Sequence, residues 1–190
     1  MRAQIFPLLF CLLLLAFGCA DESGPSSGQV DPNARLTEDV NGPNHPGAGA
    51  PAITLRVGQG EVAQGEVICL PFEVSNFKNM LGFQYTIRFD STKLQYKEVK
   101  NFGLPGYGPP DFGTRFESRG VLSSLWSDPS LEPRTLADGS KLFDLCLTAI
   151  GDAGDESVVR LSNGPTPFEF IDQGMTRYRL RYANGLVKIE

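Results

Sequence analysis

The chain has 190 residues, 41% hydrophobic and 21% charged, with 17 Lys and Arg against 22 Asp and Glu. That balance excludes a disordered chain and a polytopic membrane protein, and the length suits one domain with short additions. A net charge of −5 without a cluster of Lys and Arg argues against a nucleic-acid partner. The single histidine, His45, lies in a Pro/Gly-rich stretch. Ser-His-Asp, Cys-His and multi-His zinc chemistry all need a His held on a rigid frame, so these mechanisms are effectively closed to this chain.

Residues 1–18 have the form of a signal peptide. Arg2 supplies the positive charge, and an apolar run from Ile5 to Ala16 follows. Twelve residues are too few to span about 30 Å of hydrocarbon as a helix. The run ends in Leu15-Ala16-Phe17-Gly18-Cys19, which resembles the lipobox of bacterial lipoproteins. That resemblance implies acylation of Cys19 and anchoring by lipid alone. Ala20 after the Cys fits sorting to an outer membrane, and Asp21-Glu22 resembles an acidic pair used for export to the cell surface. An ordinary secretory signal cut near Ala20 is the alternative.

Residues 19–50 are expected to be the lipidated Cys and a flexible linker. The stretch 20–50 holds five acids, one Arg and few large apolar side chains. Too little surface is available there to offset chain entropy. As a free coil it would reach ~30 Å root-mean-square.

From residue 51 to the C-terminus the pattern becomes all-β. Short β-rich runs are expected at 53–59, 67–75, 82–90 and 94–100. A long Gly/Pro loop over 101–113 precedes a hairpin of 114–118 and 121–127. Further strands are expected at 141–150, 157–162 and 185–190, with short extras at 168–171 and 178–182. Period two sorts the faces. Ile68, Leu70, Phe72 and Val74 point one way, as do Phe83, Tyr85, Ile87 and Phe89. Leu122, Ser124 and Trp126 form a third inward set, and Phe143, Leu145 and Leu147 a fourth. Two such sheets bury their inner faces against each other.

Few residues in this domain invite chemistry. Asp90, Asp128, Asp138 and Asp144 are scattered, and none can be placed as a glycosidase pair. The acidic loop 151–156 lacks the ligand spacing of a Ca²⁺ loop, so no metal and no cofactor is assigned. The expectation is a protein that is not an enzyme. Trp126 shares the parity of Leu122 and belongs to the core. Tyr107, Phe112 and Phe116 lie in or beside the Gly/Pro loop. They either form an exposed aromatic platform for polysaccharide or fold back over a sandwich edge.

The ordered motifs resemble the cohesin module. They run from a Gly-acidic turn into a strand with Pro (Gly65 to Pro71) to a Gly-aromatic strand ending in Asp (Gly82 to Asp90). Next come Leu94, Gly120 to Trp126, and a Gly followed by an apolar strand closing in Gly (Asp138-Gly139 to Gly151). The last is Gly185-Leu186-Val187. The resemblance covers nearly all of 52–190. It implies a nine-stranded jelly-roll β-sandwich, a fold shared with some cellulose-binding modules.

It further implies a non-catalytic role in binding a dockerin-like or other secreted protein. The alternative is a carbohydrate-binding module that docks polysaccharide as an accessory to its breakdown. Partners of such modules dock on the outer face of one sheet. Here the outward residues of that sheet are Gln84, Thr86, Arg88, Ser123 and Leu125, with Leu125 as the apolar anchor. In this arrangement Cys69 and Cys146 fall on neighbouring antiparallel strands, which suggests a disulfide in an oxidising compartment. Two half-buried thiols are the other reading.

Overall fold

The computed structural model describes residues 24–40, 42 and 45–190. The signal peptide, Cys19 and the Asp21-Glu22 pair lie outside the described residues. Among the described residues no helix is long and apolar enough to cross a membrane.

Period-two alternation becomes strand wherever one face can be buried. The strands in chain order are β1 (Ser26–Ser27), β2 (Thr37–Glu38), β3 (Ala52–Val57), β4 (Gly60–Val62), β5 (Val67–Ser75), β6 (Met80–Arg88) and β7 (Leu94–Lys100). They continue as β8 (Phe112–Gly113), β9 (Val121–Ser127), β10 (Ser140–Ala149), β11 (Glu156–Ser162), β12 (Glu169–Asp172), β13 (Arg179–Ala183) and β14 (Gly185–Ile189). One sheet runs β2-β13-β3-β5-β10-β7, with β1 on β5. The other runs β4-β14-β11-β6-β9-β8, with β12 on β6. The expected all-β sandwich is the observed fold, with fourteen strands among the described residues where nine are expected, several of them two-residue pieces (β1, β2 and β8).

The inner faces follow the expected parity. Ile68, Leu70, Phe72 and Val74 are fully buried from the first sheet, and Tyr85, Ile87 and Leu122 from the second. Each such large side chain contributes roughly 1.5–3 kcal/mol by leaving water. The Phe72 and Phe143 rings stack at 4.5 Å within the first sheet. Phe83 meets Tyr85, Tyr107, Trp126 and Phe170 with centroids 5.4 to 5.7 Å apart. Cys146 stands directly opposite Cys69 in the β10–β5 register, and the two sulfurs are bonded.

Two expectations change. The run expected as one strand over 53–59 divides at Gly58, because β3 lies in one sheet and β4 in the other. The passage between β13 and β14 makes the same switch, and the two crossings touch. A Cβ on Gly185 would lie 2.1 Å from the Gly58 carbonyl oxygen, and a Cβ on Gly58 would meet the Pro71 ring at 2.5 Å. Only glycine permits that approach. The stretch 114–118 is not a strand. It leads into a 3₁₀ turn, Glu117–Arg119, which closes on Gly120 at φ 67°.

Part of the expected linker is also ordered against the domain. β1 runs parallel to β5, and the Gly28 amide donates to the Cys69 carbonyl at 2.9 Å. Gln29 and Gln59 exchange backbone hydrogen bonds at 2.8 Å. The Arg56 guanidinium donates to the carbonyls of Asp31 and Ala34. β2 then pairs with β13, and Arg179 Nη1 grips both carboxylate oxygens of Glu38 at 3.0 and 3.2 Å. His45 Nε2 approaches the same carboxylate at 3.2 Å. Partial burial works against ionisation of Glu38, but the bonds to His45 and Arg179 prevail and hold its pKa below the usual value. Backbone hydrogen bonds and half-buried arginines hold this strap. It has little apolar burial, which is why hydropathy alone reads it as a free coil.

Candidate binding surface

The outer face of the second sheet is built by the side chains that alternate away from the core. Along β6 and β9 the register sets Gln84 opposite Leu125, Thr86 opposite Ser123 and Arg88 opposite Val121. Leu125 is 51% exposed, and Gln84, Arg88 and Ser123 are half-buried. Thr86 departs from expectation. It is fully buried, because the loop between β11 and β12 folds over it. Its hydroxyl donates to the Thr166 carbonyl at 2.8 Å and accepts from the Thr166 amide at 2.9 Å. Thr86 is therefore a fastening for that loop and is not a contact residue. Arg88 anchors the same loop by donating to the Gly164 carbonyl at 2.9 Å.

Next to Leu125 the face sinks into an apolar depression of about 310 Å³. Gly82 and Gln84 line it from β6, Ile171 from β12, and Leu131 and Met175 from the flanking loops. Leu131 and Met175 are 73% and 72% exposed. Both also hold left-handed backbone, at φ 56° and 59°. That conformation costs a non-glycine residue about 1–2 kcal/mol, and such strain collects at ligand clamps.

Buried polar groups hold these loops in shape. The Asp128 carboxylate is inaccessible to solvent and takes a 2.5 Å bond from Arg134 Nε. It also accepts from the amides of Ser130 and Glu132 and from the Ser130 hydroxyl. The Arg134 and Ser130 bonds hold its pKa well below the carboxylate range. On the other side, the Asp172 carboxylate accepts from the Thr176 amide at 2.8 Å, and its carbonyl accepts from the Met175 amide at 3.0 Å. Sequence reasoning missed Leu131, Ile171 and Met175 as surface residues. The available signal was a lone large apolar side chain inside each of two polar turns.

The aromatic alternative does not survive as a platform. Tyr107 and Phe112 are 5% and 6% exposed. Their rings pack at 5.4 Å on each other, and Phe112 sits 4.9 Å from Phe143. The Tyr107 hydroxyl shares a 2.6 Å hydrogen bond with Ser124. The Gly/Pro loop thus folds back and plugs the end of the sandwich between the sheets. Phe116 alone stays exposed, with the guanidinium carbons of Arg115 and Arg119 at 5.6 and 5.5 Å from its centroid. Trp126 is buried and donates to the Pro105 carbonyl at 3.3 Å.

The scattered carboxylates serve local structure. Asp90 accepts from Thr92, Asp138 from the Asn76 amide, and Asp144 from Asn101 and Lys141. In the acidic loop Asp155 pairs with Lys93 at 3.0 Å. Among the described residues no three His, Cys, Asp or Glu side chains are grouped to hold a metal ion.

Residues 53–169 match the cohesin domain family, and the chain belongs to it. No curated protein matches the sequence. The fold is similar to the sixth cohesin of scaffoldin B from Acetivibrio cellulolyticus, solved in complex with a Cel5 dockerin. There the TM-score is 0.61 and identity 20%, over 73% of this chain and 99% of that one. A Clostridium thermocellum cohesin–dockerin complex aligns with TM-score 0.61 and 17% identity over 73% and 99%. A non-cellulosomal cohesin from the archaeon Archaeoglobus fulgidus aligns with TM-score 0.57 and 17% identity over 73% and 91%.

Proposed function

We propose that the chain is a non-catalytic docking protein that takes a dockerin-like or other secreted protein on the outer face of its second sheet. The observation that carries this reading is the apolar depression beside Leu125, rimmed by Leu131 and Met175. Two strained, exposed apolar residues on separately braced loops suit a partner side chain seated between them. Cohesin–dockerin complexes among the similar structures support a protein ligand. The test uses immobilised full-length protein, a panel of dockerin domains and the secreted fraction of the native cells. Leu125→Asp is expected to lose capture while melting at the wild-type temperature. Equal capture by both proteins would refute the docking face.

The same reading places the protein on an outer membrane through acylated Cys19, facing outward. Because the strap meets the sandwich as early as Ser26, only six residues separate it from Cys19. Extended chain covers at most ~25 Å over those seven steps, so the module rides close to the bilayer. Palmitate labelling of wild type but not of Cys19→Ala is the expected result. Equal labelling would overturn the anchor.

A further inference from the structure

The outer face of the second sheet has a second half with different chemistry. Arg88 on β6 and Arg160 on β11 stand directly opposite each other in register. With exposed Arg119, from the turn before β9, they line a depression of about 400 Å³. Like charges facing across a strand pair are destabilising. Among the described residues none of Arg88, Arg119, Arg160 or the neighbouring Arg115 has an ion pair. Two carboxylates share the depression: Asp90 accepts from the amide and hydroxyl of Thr92, and Glu156 has no ion pair among the described residues, so the three guanidiniums outnumber them. Val158, 49% exposed, adds an apolar contact beside Arg160.

Resting on the docking face proposed above, the geometry points to a partner of defined chemistry: a helix that is apolar at one end of its contact and acidic at the other. Leu125 faces Gln84, and Arg88 lies four residues along β6 from Gln84. At about 3.3 Å per residue the apolar and basic centres are ~13 Å apart. On a helix rising 1.5 Å per residue, the positions that return to the same face lie about seven and eleven residues on, at ~10.5 and ~16.5 Å, and bracket that separation. The partner helix therefore carries a large apolar side chain followed, two to three turns later, by paired carboxylates. Arginine forks take such carboxylates in two-bond geometry, and the unpaired charges attract them before contact. The loop over Thr86 covers the β6 side of the path between the centres, so the helix runs on the β9 side, over the half-buried Ser123.

The test selects a display library of helical hairpins, with randomised outer faces, against the full-length protein. Clones that lose binding on Leu125→Asp define the docking face. They are expected to carry an apolar anchor and downstream carboxylates. They are also expected to weaken at least about tenfold on Arg119→Glu with Arg160→Glu, and to weaken further as salt shortens the reach of exposed charges. Both arginines are exposed, and the milder Arg119→Gln with Arg160→Gln is expected to give an intermediate loss if the reversal disturbs folding. Leu125-dependent clones that are neutral or basic downstream, or are unmoved by both arginine pairs, overturn the acidic partner and leave the docking face standing. Recovery only of clones indifferent to Leu125→Asp overturns the docking face itself. Polygalacturonate, probed by gel retardation, distinguishes a saccharide ligand. Retardation lost with the arginine pair but kept with Leu125→Asp overturns a protein helix as the occupant.

Discussion

Replacing Cys69 and Cys146 together by Ala tests how much of the sandwich rests on its covalent cross-link. The bond joins residues 77 apart, across the central β5–β10 pair of the first sheet. In the chain-entropy treatment the unfolded chain loses a constant plus 1.5R ln n, which at n = 77 is about 4.5 kcal/mol at 25 °C. The folded state loses little in compensation. Cys69 is 6% exposed, Cys146 is fully buried, and Ala leaves only a sulfur-sized gap at each. The backbone hydrogen bonds on either side of the pair remain, so the strands stay in register.

The readout is urea unfolding followed by fluorescence of Trp126, the only tryptophan and 1% exposed. With a urea slope of about 2 kcal/mol/M, the midpoint is expected to fall by roughly 2 M. The slope itself should rise, because an uncross-linked unfolded chain exposes more surface. Wild type reduced by dithiothreitol should track the double variant. A midpoint difference equivalent to less than ~1 kcal/mol would refute the entropic argument. Two free thiols in denatured, unreduced protein would refute the cross-link.

Four other outcomes follow from the same geometry. Leu131→Gly should keep or raise the melting temperature, since glycine relieves the left-handed backbone at a cost of only lost surface contact, while weakening partner capture; a loss of both would mean Leu131 is structural. Tyr85→Phe should stabilise by about 1 kcal/mol, because the buried Tyr85 hydroxyl sits beside Tyr107 and Ser124 without a well-formed hydrogen bond to either; destabilisation would show that one of those bonds forms in solution. The depressed pKa of Asp128 means its contribution is present above the usual carboxylate pKa and lost as pH falls through the lower folded value. Amide exchange at Met80 and Arg134, which hydrogen-bond each other, should accelerate below about pH 4 beyond the intrinsic change, and Asp128→Asn should abolish that pH response. Arg179→Ala should free the strap near Glu38 and open new protease sites within 24–50 while the core resists; an unchanged cleavage map would remove Arg179 as its clamp.

The particulars divide along a physical line. Strand parity was legible: Ile68 to Val74 and Phe83 to Phe89 show their buried faces in the order of their letters, because burial on one side of a pleat demands alternation. The inward placement of Trp126 and the exposure of Leu125 followed from the same rule. So did the shared outer face of Cys69 and Cys146, once the family resemblance set their strands side by side. The strap was not legible, since its attachments are backbone hydrogen bonds and arginine forks that any polar sequence could make. Nor was the fate of Tyr107 and Phe112, for a loop aromatic reads alike whether it stacks outward or plugs a sandwich end.

Local pattern, then, determined which side chains face inward, and the ordered motifs carried the resemblance to a family of sandwich. Tertiary structure alone decided what the outer face became. It buried Thr86 under a loop from 80 residues away and set Arg88 across from Arg160 with no ion pair to either among the described residues. It also set Leu131 and Met175, 44 positions apart, on two rims of one depression. Such juxtapositions depend on how sheets are ordered and loops are braced, and no periodicity along a single strand carries that information.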